Sequence, residues 1–426
     1  MSVKSFLIKK KDGKNFAKLS GDNNRIHINE IEGHNSIYGH NIAHGALLIL
    51  RFIKKINLKK NFSYIKILFN DGIKYENKIS IKKINKDKKK ILYALIQNNN
   101  VIVKIEIGLH PLIYQIQDLK KNTIRKKFIL ARKNKNFIEE LNRALCSLSK
   151  YVGTIFPGKD SLISEVNITL TNFDFGNNVL ISSDSTLLKK GFPVIENRLK
   201  YKNYNIQFKT LIRPKLYIKL KKPQKKILKQ INLIKENVLI VGASSGIGND
   251  LLKLFLKNKK IKIIGTYFKN KILIKNKNLI KKKINIEKNL SKIFDLIKKN
   301  SPIIIYYFPT PKILFKKIHD KNLIKLYTEY FINTPIKIIR FSNRYNCKFF
   351  YPSTTYKNNS SPYSLIKLKA EKELNKLKKN KTIVNVAKIS GINTKQNLSL
   401  IHRKFPDFRE LISSDKQLFN KVFIIK

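Results

Sequence analysis

The sequence predicts an α+β unit followed by an α/β unit built on a doubly wound parallel sheet. Three observations carry this prediction. Residues 42–109 run from one apolar helical stretch into segments that alternate polar and apolar residues, the pattern of a helix laid on an antiparallel sheet. Residues 137–211 repeat that order, although no residue-level repeat is visible. From residue 233 onward, short continuous apolar runs alternate with helical stretches, the pattern of a parallel sheet covered on both faces.

Length and composition bound the answer. A chain of 426 residues is too long for one ordinary core and predicts two or three domains. Hydrophobic residues make up 42%, enough for buried cores, but the apolar runs are short and broken by Lys or Asn, so no membrane span is expected. The first 20 residues lack the apolar core of a signal peptide, and two cysteines, Cys146 and Cys347, form neither a disulfide framework nor a metal-ligand spacing. A cytoplasmic protein is the expectation. The net charge of +62 raises nucleic-acid binding, but it comes from 78 Lys against 11 Arg spread over the whole chain. Specific nucleic-acid surfaces use Arg for bidentate contacts, so solvated lysines on every face are the better reading.

The elements are placed as follows. In residues 1–112, Ala43, Leu47, Leu50 and Ile53 share a helical face within Ile42–Ile56, followed by strand-like runs at 64–69, 74–84, 90–97 and 101–109. In residues 113–232, a helical stretch at 137–150 precedes runs at 162–170, 179–183, 198–201 and 204–211, and Pro214 with Lys219–Lys226 reads as a linker. Residues 233–426 carry strand-like runs at 238–241, 261–266, 281–286, 303–307, 347–351 and 382–389.

Two segments of the first unit carry chemistry. Ser20-Gly21-Asp22-Asn23-Asn24-Arg25-Ile26-His27 is followed by Ile42-Ala43-His44-Gly45. Taken by itself, Gly-Asp-Asn-Asn is a good turn whose Asp or Asn caps a helix. Together the two segments resemble the S-G-D-x-N-P-[IL]-H and I-A-H-G signatures of the MaoC-like (R)-specific enoyl-CoA hydratases, with Arg25 in the place of the Pro. The resemblance implies a hotdog fold in which Asp22 and His27 hold a water as base and acid, and Asn24 orients that water or the carboxylate. It also implies that the backbone N–H of Gly45, at a helix start, stabilises the developing enolate oxygen. Residues 113–232 have no such set. Their Tyr151-Val152-Gly153-x-x-x-Pro157-Gly158 segment is similar to the turn region of a second hotdog, so a double hotdog with one active half is implied.

The last third carries a second chemistry. Gly242-Ala243-Ser244-Ser245-Gly246-Ile247-Gly248 follows a strand and opens a helix, the context in which a Gly-rich loop cradles a pyrophosphate. Tyr363 and Lys367 lie one helical turn apart, after Ser353 and before Ile389-Ser390-Gly391-Ile392-Asn393-Thr394. In this order the segments resemble the short-chain dehydrogenase/reductase family. The resemblance implies a Rossmann domain in which Ser353 binds the substrate carbonyl and Lys367 grips the nicotinamide ribose and lowers the Tyr363 pKa. Tyr363 supplies the proton, and Gly242, Ser244, Ser245, Gly246, Ile247, Gly248 and Thr394 line the cofactor. Phe308-Pro309-Thr310-Pro311 stands where the family has N-N-A-G, Ser390-Gly391 stands for P-G, and Asn333 is the candidate for the catalytic-helix Asn. No acid follows the second strand at Gly265-Thr266-Tyr267-Phe268-Lys269, and Lys269 could neutralise a 2′-phosphate, so NADP(H) is expected rather than NAD.

Water addition to an enoyl thioester and reduction of a 3-oxoacyl thioester are adjacent steps on one substrate type. The sequence therefore suggests a bifunctional enzyme acting on acyl-CoA or acyl-carrier-protein thioesters, with a second copy of the chain as candidate partner. Alternatives are a reductase of a lipid or polyketide-like substrate with a non-catalytic acyl-binding hotdog pair, and a non-catalytic acyl-thioester or NADPH-binding scaffold.

Overall fold

The computed structural model describes residues 4–58, 62–87, 89–109, 123–128, 137–159, 161–212, 223–313, 321–357, 361–377, 381–394 and 405–424. Pro214 and the first half of the expected linker lie outside these residues. Two compact units divide the chain near residue 215.

The first unit is a ten-stranded antiparallel sheet. Its strands are β1 (Ser5–Phe6), β2 (Tyr64–Phe69), β3 (Ile79–Lys86), β4 (Lys90–Gln97), β5 (Asn100–Gly108), β6 (Thr123–Phe128), β7 (Ser161–Leu170), β8 (Val179–Asp184), β9 (Val194–Tyr201) and β10 (Tyr204–Ile212). The spatial order is β1-β3-β4-β5-β2-β7-β10-β9-β8-β6. Read outward from the central β2–β7 pair, the two halves have the same order. In each, the first strand after the helix is central, the fourth, third and second follow, and the strand before the helix closes the edge. The repeat foreseen from the pattern is thus a repeat of topology. β1 and β6 were not foreseen: β1 has two residues, and β6 (Thr-Ile-Arg-Lys-Lys-Phe) has too few apolar residues to alternate.

Each half contributes one long helix. Gly45–Ile56 buries Ala46, Leu47, Leu48, Ile49, Phe52 and Ile53. Phe137–Lys150 buries Leu141, Ala144, Leu145 and Leu148. With Ile65, Ile67, Ile105, Val166, Ile168 and Ile206 from the strands they form one hydrophobic core, so the two halves expected as separate domains share their interior. β3 starts later than expected, at Ile79, because Glu76 sits in the left-handed region (φ +60°) and turns the chain before the strand.

The second unit holds six parallel strands: β11 (Asn237–Val241), β12 (Ile263–Tyr267), β13 (Leu279–Lys283), β14 (Ile303–Tyr307), β15 (Cys347–Thr354) and β16 (Ile383–Ile389). Their order, β13-β12-β11-β14-β15-β16, is that of a doubly wound sheet whose winding reverses between β11 and β14. Alternate residues feed opposite cores, as the pleat requires. Val238 and Ile240 pack with Ile227, Leu251 and Phe408; Leu239 and Val241 pack with Ile293, Tyr327 and Ile338. The Lys225–Leu233 helix buries Ile227 and Ile231 in this unit. The second unit therefore starts earlier than residue 233, and Lys225 and Lys226 open a helix instead of ending a linker. Among the described residues, no helix is long and apolar enough to cross a membrane.

Phe52 is fully buried in the shared core. Phe52→Ala should destabilise the first unit by about 3–5 kcal/mol, read as a lower urea midpoint for that unit's unfolding transition and an unchanged one for the second unit.

Candidate functional site

The first site forms where the Lys10–Ser20 helix ends. Gly21 takes the left-handed conformation (φ +75°), and its N–H closes the helix on the Ala17 carbonyl. The chain then turns sharply and aims Asp22 inward, where it is almost fully buried. Its carboxylate is held from both halves of the unit. Ser149, at the end of the Phe137–Lys150 helix, donates its hydroxyl to Oδ2 at 2.6 Å, and the Asn24 backbone N–H donates to Oδ1 at 3.1 Å. Gly153 lies so close that a Cβ there would sit 1.9 Å from Oδ1. The half without a D-x-N…H set therefore builds the pocket wall around Asp22.

Asn24 lines the cavity described below. Its Oδ1 accepts the Ile26 N–H and caps the short Arg25–Ile28 turn. Its main-chain N–H holds the Asp22 carboxylate at 3.1 Å. Arg25 occupies the first position of that turn, where a helix needs no N–H donor and where Pro and other residues are both accommodated. The turn forms with Arg there: the Asn29 N–H reaches the Arg25 carbonyl at 2.8 Å, and the Arg25 side chain faces Glu32 at 3.8 Å.

The turn brings His27 beside Asp22. Its Nδ1 is 2.8 Å from the Ile42 carbonyl, which can only accept, so Nδ1 carries the hydrogen and Nε2 keeps its lone pair. His44, fully buried, lies face to face with it: ring centroids are 3.9 Å apart with planes at 30°. Asp22, His27 and His44 each have a ligand-type atom within 4.8 Å of the others. Metal-binding imidazoles direct in-plane lone pairs at one point, whereas two near-stacked rings direct theirs along neighbouring, roughly parallel planes.

These groups open on a cavity of about 340 Å³ lined by Asp22, Asn24, His27, Gly45, Phe69, Asp71 and Ser161, among others. Gly45 is the first residue of the long helix, so its N–H has no partner within the helix and a positive dipole end lies at the cavity wall. A Cβ at Gly45 would press on the Phe69 ring at 3.0 Å.

The second site lies at the carboxyl ends of the parallel strands. Gly242 (φ +82°) and Gly246 (φ +57°) use conformations open to glycine, and a Cβ at Gly248 would meet the Gly242 carbonyl at 2.3 Å. Gly242 N–H is held by Thr266 Oγ1 at 3.1 Å. The loop, with Ser244 half-buried and Ser245 exposed, leads into the Gly246–Phe255 helix, where Ile247 packs against the core. This cradle fits a pyrophosphate. Thr394 lies across it, 3.7 Å from where a Gly246 Cβ would be, and Phe308-Pro309 pack against Gly242 from the other side. Lys269 is exposed just beyond β12.

Tyr363 and Lys367 share the Pro362–Lys376 helix, but their surroundings differ from the expectation in three ways. First, β15 alternation turns Ser353 toward Glu371 (2.9 Å), which also pairs with Lys388 at 3.2 Å, whereas Thr354 is the hydroxyl that hydrogen-bonds Tyr363. Ser353 is thus engaged by Glu371, and Thr354 is the hydroxyl beside Tyr363. Second, the Lys367 ammonium is enclosed: it donates to the Pro352 carbonyl at 2.6 Å and the Tyr351 hydroxyl at 3.2 Å, and lies over the rings of Phe331 (4.3 Å) and Tyr351 (4.4 Å). The aromatic faces favour the cation, yet burial wins and pushes its pKa down to about 7. Third, burial pushes Tyr363 up to about 12, so Lys367 does not activate it in this arrangement. Asn333 is exposed and bonded to Glu329, away from Tyr363 and Lys367.

No family model matches the chain, and no curated protein matches it. Among solved structures, it is similar to a short-chain dehydrogenase from Burkholderia cenocepacia in complex with NADP, at 15% identity over 42% of this chain and 82% of that one, TM-score 0.36. It is also similar to a short-chain dehydrogenase family protein from Francisella tularensis, at 20% identity over 45% and 78%, TM-score 0.34. A hot dog fold protein of unknown function from Alicyclobacillus acidocaldarius matches at 7% identity over 41% and 88%, TM-score 0.27.

The depressed Lys367 pKa makes a stability prediction. The unfolded chain binds a proton to this lysine up to its ordinary pKa near 10.5, but the folded chain binds it only below about 7. Stability should therefore rise with pH across that window. In Lys367→Met the slope of denaturation free energy against pH should flatten between pH 7 and 10; an unchanged slope would show that Lys367 titrates normally.

Proposed function

We propose that the first unit is a double hotdog that adds water to, or removes it from, an acyl thioester, and that the second is a nicotinamide-dependent reductase of the matching 3-oxoacyl thioester. The observation that carries this reading is the pairing of Asp22 with His27 on one cavity, with the Gly45 helix start on its wall.

In the hydration direction, a water lies between Asp22 and His27. The Ile42 carbonyl holds the Nδ1–H of His27 and so turns Nε2 to the water as the base, which takes the water proton as oxygen bonds C3. Negative charge builds on the thioester oxygen, which the Gly45 N–H stabilises. The imidazolium so formed on His27 gives that proton to the α-carbon, so the hydroxyl ends on C3, the hydrogen on C2, and His27 is neutral again. Ser149 and the Asn24 N–H occupy an oxygen each of Asp22 and fix the direction in which its remaining lone pairs point.

In the second unit the Gly-rich cradle suits the pyrophosphate of a dinucleotide, and the lack of an acid after β12, with Lys269 nearby, favours NADP(H). That cofactor, when bound, would supply the hydride. Tyr363, with Thr354 at its hydroxyl, is the proton donor to the substrate carbonyl. Two of the three Lys367 ammonium hydrogens are taken by the Pro352 carbonyl and the Tyr351 hydroxyl, which leaves one for a ribose. This latched lysine favours a second reading, in which the hotdog half is active and the Rossmann half binds a nucleotide without rapid reduction.

Asp22→Asn should remove at least about 100-fold of enoyl-CoA hydration while leaving NADPH oxidation intact, and Tyr363→Phe should do the reverse. Loss of both activities in either variant would contradict two independent sites. Ser149→Ala should lower hydration about tenfold, as expected for loosened positioning, without changing the reductase step.

A further inference from the structure

His44 belongs to neither the water-binding pair nor the oxyanion wall, yet it is the most enclosed ionisable group of the first site. It has no exposed surface. Its Nε2 is 3.3 Å from the Asp22 backbone carbonyl and 4.0 Å from Asp22 Oδ2. A carbonyl only accepts, so Nε2 carries the hydrogen. Its Nδ1 is buried with no hydrogen-bond partner, and adding a proton there would bury an unpaired N–H and a charge. On one side His44 contacts the Phe16 ring, 5.0 Å between centroids, and on the other the His27 ring at 3.9 Å.

We propose that His44 is a positioning residue for the water-handling pair: a neutral imidazole that anchors the Asp22 main chain through Nε2–H and fixes the plane of His27 by lying against it. The inference rests on the hydration reading of this site. Two reasons make an imidazole suited to the place. Its flat face matches the His27 ring as a flexible side chain would not, and its one hydrogen reaches the Asp22 carbonyl. Burial and the neighbouring His27 also hold its pKa down to about 2, so the His44 ring stays neutral. His44 thus adds no charge of its own beside the Asp22 carboxylate.

The test uses the full chain with His44→Phe, which keeps a flat ring and loses the donor, and His44→Gln, which keeps a donor at similar reach and loses the ring. With a short 2-enoyl-CoA as probe, each should lower kcat by roughly 10- to 100-fold, the range expected of a displaced reacting group, with KM within about twofold and an unchanged Tm. Nitrogen-15 histidine spectra of the wild-type chain should show one ring, lost in both variants, held as the neutral Nε2–H form from pH 5 to 8. Unchanged kcat in both variants, beside an Asp22→Asn chain that no longer hydrates, would overturn the proposal, as would a His44 signal that titrates in that range. Absence of hydration in the wild-type chain would instead count against the hydration reading, and the spectra would still decide whether His44 is locked neutral.

Discussion

A carboxylate taken almost wholly out of solvent is costly unless every contact with it is arranged. Asp22 is the point at which the first unit meets that demand. The αL turn at Gly21 delivers the side chain inward, the Asn24 N–H and the Ser149 hydroxyl each occupy an oxygen, and the bare face of Gly153 leaves room for the group. The constraint reaches far along the chain, because Ser149 is 127 residues from Asp22. The two topologically equal halves thus meet at this carboxylate: the half without a D-x-N…H set supplies the wall on which it rests.

The second unit solves a different problem with a different material. Around Lys367 the protein uses aromatic rings and a main-chain carbonyl in place of solvent. Tyr351, itself bonded to the Phe331 carbonyl, both donates its face and accepts a hydrogen bond. The result is a lysine poised between charged and neutral near physiological pH and a tyrosine whose proton is firmly held. The hydroxyl that meets Tyr363 is Thr354, and Ser353 is spent on tying β15 to Glu371.

Much of this was legible in the chain. Alternation and apolar continuity separated the antiparallel from the parallel unit, and the boundaries at Tyr64–Phe69, Lys90–Gln97 and Ile303–Tyr307 match because Lys, Asn and Ser break the runs there. The Gly-rich loop was legible because tight turns leave few residue choices. Ser149 and Gly153 were not, since a serine near a helix end has no local signature and only the fold brings it to Asp22. Which of the adjacent hydroxyls Ser353 and Thr354 faces Tyr363 depends on the pleat register, which no local signature gives. The enclosure of Lys367 depends on Phe331, 36 positions away, and no spacing rule points to it.

The most direct measurement is to supply purified protein with NADPH and a short 3-oxoacyl-CoA, following cofactor oxidation and thioester masses together. The account predicts NADPH consumption with the hydroxyacyl thioester appearing first and the enoyl thioester after it. No NADPH oxidation, with supplied enoyl-CoA still hydrated, would contradict the two-step account and leave the hotdog half as the active one.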